Sequence, residues 1–244
     1  RNTAVGFEVL QNLNFDGNGY NTAMGFQAGA AVTTGIENVL IGGLAGDALT
    51  TGSYNIAIGK SALSAEDAHG KNIAIGWGTL ATLNAGADAY NIAIGHNSGT
   101  YLTTGTENTL IGGLVGDALT TGSGNTAVGY NALSTEDANG KNTAIGRAAL
   151  NALNAGADAY NTAVGYNAGV DMSTGTVNTI IGGLAGDALT TGTRNTAVGA
   201  FALSTEDAHG NNTAFGYQAL LTLNAGAEGY NVAVGVDAGR LMST

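Results

Sequence analysis

Acidic side chains and histidine fall close together at two places in this chain, Glu66-Asp67-Ala68-His69 and Glu206-Asp207-Ala208-His209. Carboxylates beside an imidazole can do acid–base chemistry or ligate a metal. A third copy, Glu136-Asp137-Ala138-Asn139, has asparagine at the histidine position. A residue that exchanges with asparagine between copies does not behave as an essential base or ligand. These stretches therefore read as solvated loop tips that carry negative charge. A second candidate is GGLAGDALT at Gly42 to Thr50, which matches most of the GGxGxDxLx pattern of calcium-binding β-helix turns. It makes Asp47, Asp117 and Asp187 candidate metal ligands. Ala45 stands where the second glycine belongs, and the stretch comes once in 70 residues, so the expectation is an ordinary turn without metal. Gly59-Lys60-Ser61 has the ending of a phosphate loop, but Tyr54 occupies the first glycine position of that motif. His96 has no partner nearby in sequence. No catalytic constellation or cofactor site emerges, and the expectation is that the chain is not an enzyme.

These residues sit in a repeat, and the repeat dominates everything else. The frame Asn-x-x-x-Gly starts at Asn2, Asn21, Asn38, Asn55, Asn72, Asn91, Asn108, Asn125, Asn142, Asn161, Asn178, Asn195, Asn212 and Asn231. Its steps run 19, 17, 17, 17 and then recur, so four steps make a super-repeat of 70 residues. The chain 1–244 reads as one array: half a super-repeat at 1–36, then super-repeats 37–106, 107–176 and 177–244. It opens inside a motif and closes in mid-pattern at LMST, which predicts a segment of a longer fibrous protein.

Composition narrows the functions further. The 244 residues include 41 glycines, no proline and no cysteine, with 10% charged and 6% aromatic side chains. The net charge of −11, with seven scattered Lys and Arg, cannot neutralise a phosphate backbone, so nucleic acid is not an expected partner. No apolar run is long enough for a membrane helix, so membrane insertion of this segment is not expected either. Without cysteine there is no disulfide scaffold and no thiolate metal site.

A unit of 17 to 19 residues is too short for a helical hairpin and suits one coil of a parallel β-solenoid, an all-β fold. The second motif position is β-branched in every copy, and the fourth is Ile or Val except at Met24 and Phe215. Both preferences suit a strand. Turn-rich stretches such as TTGS and NAGADAY separate the motifs. The reading is about fourteen coils, each with a short strand at the motif, a tight bend, a second short strand and a loop. Stacked coils lie about 4.8 Å apart, so the fourteen asparagines can form a ladder of amides at a bend. The motif glycine supplies backbone freedom or room for close approach. The third position is Ala except at Leu40, Leu110 and Ile180, the coils in which Gly43, Gly113 and Gly183 follow the motif. That pairing predicts a size-compensated interior in which each larger residue fills the space vacated by its glycine. Tyr20, Tyr90, Tyr160 and Tyr230 precede a motif asparagine once per super-repeat, either capping a loop locally or forming a spaced row of contact points.

Alternation in NTAVG puts Thr126 and Val128 on one face and Ala127 with Gly129 on the other. The small face suits a thin interior. The β-branched face then forms an apolar stripe that either meets a partner or, in a broader coil, folds inward.

The in-phase NTAIG-type cores, spread over the whole chain, resemble the head repeats of trimeric autotransporter adhesins; similar repeats occur in phage tail fibres. The resemblance implies a left-handed parallel β-roll, three chains side by side, and a non-enzymatic adhesive head on a cell surface or virion. It implies self-association as a trimer and an unidentified surface receptor as partners. Coils in the family are shorter than these, and no anchor, stalk or neck accompanies this segment. The function expected is that of an extracellular structural and adhesive fibre segment giving reach and multivalent contact. The alternatives are a self-polymerising extracellular filament subunit, a tail-fibre shaft, or an ice-binding solenoid. Ile and Val at five of the second motif positions interrupt the Thr array that ice binding would use.

Overall fold

The computed structural model describes residues 1–14, 17–138, 140–224, 226 and 229–243. Two compact units divide the chain, Arg1–Ser123 and Gly124–Thr244. The first holds seven strands: β1 (Thr3–Val5), β2 (Thr22–Met24), β3 (Val39–Ile41), β4 (Ile56–Ile58), β5 (Ile73–Ile75), β6 (Ile92–Ile94) and β7 (Thr109–Ile111). The second holds β8 (Thr126–Val128), β9 (Thr143–Ile145), β10 (Thr162–Val164), β11 (Thr179–Ile181), β12 (Thr196–Val198), β13 (Thr213–Phe215) and β14 (Val232–Val234). Every strand is the middle of a motif. Within each unit successive strands pair in parallel and in register, so that Ala57 lies beside Ala74 and Thr162 beside Thr179. The fold is a β-solenoid of stacked coils, as the repeat length predicted.

β-branched residues at the ends of each strand favour extended backbone, and the small middle residue fixes which way the strand faces. Ala57, Ala74, Ala127 and Ala144 are fully buried, while the residues on either side of each are only partly covered. Three further inward columns complete the core. Alanine dominates the seventh position after the frame asparagine, as at Ala62 and Ala132; leucine or glycine holds the eighth, as at Leu63 and Gly46. The eleventh carries Leu49, Leu83, Leu119, Leu153 and Leu189, all fully buried.

The second strand expected in each coil is not present among the described residues. The backbone explains its absence. Residues six and eight positions after the frame asparagine are left-handed, for example Ser61 at φ 55° and Leu63 at φ 53°. A strand cannot continue through such reversals. This side of the coil is instead a stack of turns, hydrogen-bonded from coil to coil: the Gly46 N–H donates to the Ala62 carbonyl at 2.9 Å and the Leu63 N–H to the Thr79 carbonyl at 3.0 Å.

The interior is size-compensated, but with different partners from those expected. A Cβ added to Gly43 would meet nothing nearer than the Phe26 carbonyl at 4.0 Å, and Gly183 faces open space. Neither glycine makes room for a larger residue. Leu40 instead fills the space over Gly29 and Gly46, where an added Cβ would lie 2.6 and 2.8 Å from its methyl groups. Leu110 does the same over Gly99 and Gly116, at 2.8 and 3.0 Å. Where the middle strand residue is large, the eighth-position column has shrunk to glycine. Two adjacent coils share each exchange.

Candidate contact face and polar ladders

Because the middle residue of each strand points inward, its neighbours point out. Within each unit they form two columns of Thr, Ile and Val, interrupted by Met24 in the first unit and Phe215 in the second, on one uncharged face. Ile92, Ile111, Ile145 and Ile181 are exposed by 36 to 38%. The stripe lies outside the coil rather than folded into it. Beside it, the residue after the motif glycine adds a third outward column that includes several rings. Phe7 stacks on Phe26 with centroids 5.7 Å apart, Trp77 on His96 at 4.9 Å, and the Arg147 guanidinium lies 5.6 Å from the Tyr166 ring centroid. Tyr217 meets Phe201 edge-on at 6.2 Å. His96 is thus an exposed stacking partner, and Lys60 of the phosphate-loop-like stretch is an exposed member of the same column.

The frame asparagines line the bend before each strand, and most are buried. Asn178 shows why only this side chain suits the position. Its Oδ1 accepts the Asn195 backbone N–H at 2.8 Å, and its Nδ2 donates to the Gly192 carbonyl at 2.9 Å and to Asn161 Oδ1 at 3.2 Å. The same Oδ1-to-backbone rung joins Asn2 to Asn21, Asn21 to Asn38, Asn38 to Asn55, Asn55 to Asn72, Asn72 to Asn91 and Asn91 to Asn108 in the first unit. In the second it joins Asn125 to Asn142, Asn142 to Asn161, Asn161 to Asn178, Asn195 to Asn212 and Asn212 to Asn231. Aspartate would lack the donor, and serine the reach. Asn212 Nδ2 has no partner.

Comparison with family models, with curated proteins and with solved structures finds no match.

The residue before the frame asparagine is left-handed in coil after coil, whatever its type: Tyr20 at φ 52°, Glu37 at 57°, Lys71 at 64° and Val177 at 60°. Three tyrosines at this position sit against a cation one coil earlier. Arg1, Lys71 and Lys141 donate to the hydroxyls of Tyr20, Tyr90 and Tyr160 at 3.0, 3.0 and 3.2 Å. Lys71 and Lys141 also pair with Asp88 and Asp158 at 2.7 and 2.5 Å. The tyrosines make these local contacts while staying half exposed.

The acidic loops are not solvated throughout, as their polarity suggested. Asp67, Asp137 and Asp207 are solvated, but Glu66, Glu136 and Glu206 are fully buried. Each glutamate stands eleven residues after a frame asparagine, in the column that holds Leu, Val or Met in every other coil. Laying the sequence out on the 17-to-19-residue frame reveals this directly; taking the loops by their local polarity hides it. Burial pushes the Glu66 carboxyl above its ordinary range, against hydrogen bonds from the His69 and Ala85 backbone N–H groups. Asn139, the third counterpart of the histidines, lies outside the described residues. Asp47, Asp117 and Asp187 are partly buried, and desolvation raises the pKa of each. Among the described residues they belong to no group of three potential metal ligands.

Proposed function

We propose that this chain is a non-enzymatic structural and adhesive segment of an extracellular or virion fibre, working as a self-associated trimer. The observation that carries the reading is the outward Thr/Ile/Val face of each unit, an uncharged apolar strip renewed at every coil. Apolar area gains free energy at roughly 25 cal/mol per Å² when covered, and contiguous exposed strips of this kind are characteristic of interfaces. The adhesin resemblance supplies the number three. Recognition of a surface receptor would fall to the exposed rings and the loops, repeated so that weak contacts act together. Nothing in this role calls for a cofactor.

Light scattering on the purified chain tests the assembly. The expected mass is three times 24.0 kDa, and Ile145→Asp, which places a charge on the strip, should return it to 24.0 kDa with the fold retained. A wild-type monomer would defeat the trimer. Open-ended growth visible by electron microscopy would favour the filament instead.

A further inference from the structure

A carboxylate in a leucine column is costly unless something balances it. Glu66 stands in line between Leu49 and Leu83, and all three are fully buried. Its Oε1 accepts the His69 backbone N–H at 3.1 Å and the Ala85 backbone N–H also favours the anion, while Oε2 has no partner of good hydrogen-bond geometry. The His69 imidazole faces this carboxylate with Nδ1 3.7 Å from Oε1, beyond hydrogen-bond range, and Nδ1 also lacks a partner. Asp67 supplies a third donor. One oxygen from each carboxylate and one ring nitrogen lie within 4.8 Å of one another. The same three residue types meet again at Glu206, Asp207 and His209, where Nδ1 and Oε1 are 3.3 Å apart. Asp88, which interacts with His69, is already balanced: it pairs with Lys71 at 2.7 Å and accepts the Gly70 N–H at 3.1 Å.

We propose that Glu66, Asp67 and His69 form a binding site for a divalent transition-metal ion, with zinc the first candidate, and that Glu206, Asp207 and His209 form a second. Two ligands held by one tetrahedral zinc stand about 3.4 Å apart, and the two observed Nδ1-to-Oε1 separations fall on either side of that value. Two carboxylates with one neutral imidazole match a dication in charge, and the imidazole selects against calcium and magnesium, which prefer oxygen. Water completes the coordination sphere from the exposed side. The ion lets a buried carboxylate stay ionised and ties the loop to the coil interior. The middle copy, with Asn139 for histidine, lacks the nitrogen ligand, so a chain carries two sites and not three.

Zinc titration of the untagged, chelator-treated full chain, read by calorimetry and by metal analysis after dialysis, tests this. Two zinc ions should bind per chain, one after His69→Asn and none after His69→Asn with His209→Asn. His69→Asn gives the loop the sequence of its middle copy, so metal-free melting of the variants should match the parent. His96→Asn, which removes the third histidine of the chain, should leave the stoichiometry at two. Zinc should raise the melting temperature of the parent and not of the double variant. Zinc uptake unchanged by the double substitution would overturn the proposal. So would no retention of zinc by the folded parent at micromolar free metal; His69 and Glu66 would then be a hydrogen-bonding pair alone.

Discussion

Left-handed backbone at a β-branched residue is among the less favourable conformations an L-residue can adopt, costing roughly 1–2 kcal/mol. Val177 adopts it at φ 60° with its side chain mostly exposed, so burial does not compensate. What holds it is backbone bonding: its N–H donates to the Ala159 carbonyl at 2.7 Å, and the next residue, Asn178, is fixed by the ladder. The equivalent position in other coils carries Gly124 or Asn211, residue types that tolerate this region. Val177→Asn should therefore stabilise the chain by about 1 kcal/mol, measured as a rise in melting temperature. A neutral or lowered value would mean that the ladder does not impose the conformation. The frame asparagines themselves were legible from spacing alone, because stacking forces identical chemistry on each coil. The left-handed residue before each of them was not, since Tyr, Glu, Lys, Arg and Val have no local preference for it. Tertiary hydrogen bonds impose it from outside.

At the scale of the element, each strand is only three residues long, too short to be stable by propensity. It persists because its neighbours in the stack approach closely, and the motif glycine sets that approach. A Cβ on Gly42 would lie 2.6 Å from the carbonyl carbon and oxygen of Gly59, on backbone at φ +133°. Its neighbour Gly43 has nothing nearer than 4.0 Å. Gly42→Ala should cost about 3 kcal/mol by overpacking and strain, whereas Gly43→Ala should stay within about 0.5 kcal/mol. Equal effects on thermal unfolding would show that the coils can separate to admit a methyl group. The strand was readable from β-branched residues around a small one. The turn stack opposite was not, because its alternating Leu, Gly and Ala also fit a short buried strand. Gly43 beside Leu40 in sequence likewise suggested a packing pair. In space Leu40 packs over Gly29 and Gly46, residues that only the coil geometry brings to it.

For the whole molecule, periodicity carried the architecture, and in a solenoid that is most of the fold. What it did not carry was any departure from the period: a glutamate in a leucine column became visible only once each coil was laid on the next. Charge behaves as a property of the array as well. Asp47, Asp117 and Asp187 recur once per super-repeat, and burial raises each carboxyl above its ordinary 3.8. A raised folded value means that the folded chain binds protons more readily than the unfolded one. Between the unfolded and folded pKa values stability therefore falls as pH rises, and it recovers as pH drops through that window. Asp88, held low by Lys71, acts in the opposite sense, but both groups are substantially exposed and solvent screens the pair. Mutual repulsion within a net charge of −11 adds to the first effect, since acid reduces it. The melting temperature should accordingly rise as the pH is lowered from neutral towards the ordinary carboxylate range near 3.8, opposite to a chain held together by salt-bridged carboxylates. Replacing the three aspartates by asparagine should flatten that slope, and the slope is the quantity to compare because the substitutions also lower the net charge at every pH. A melting temperature that falls over this interval in the parent chain would show that its buried acids are stabilised as anions.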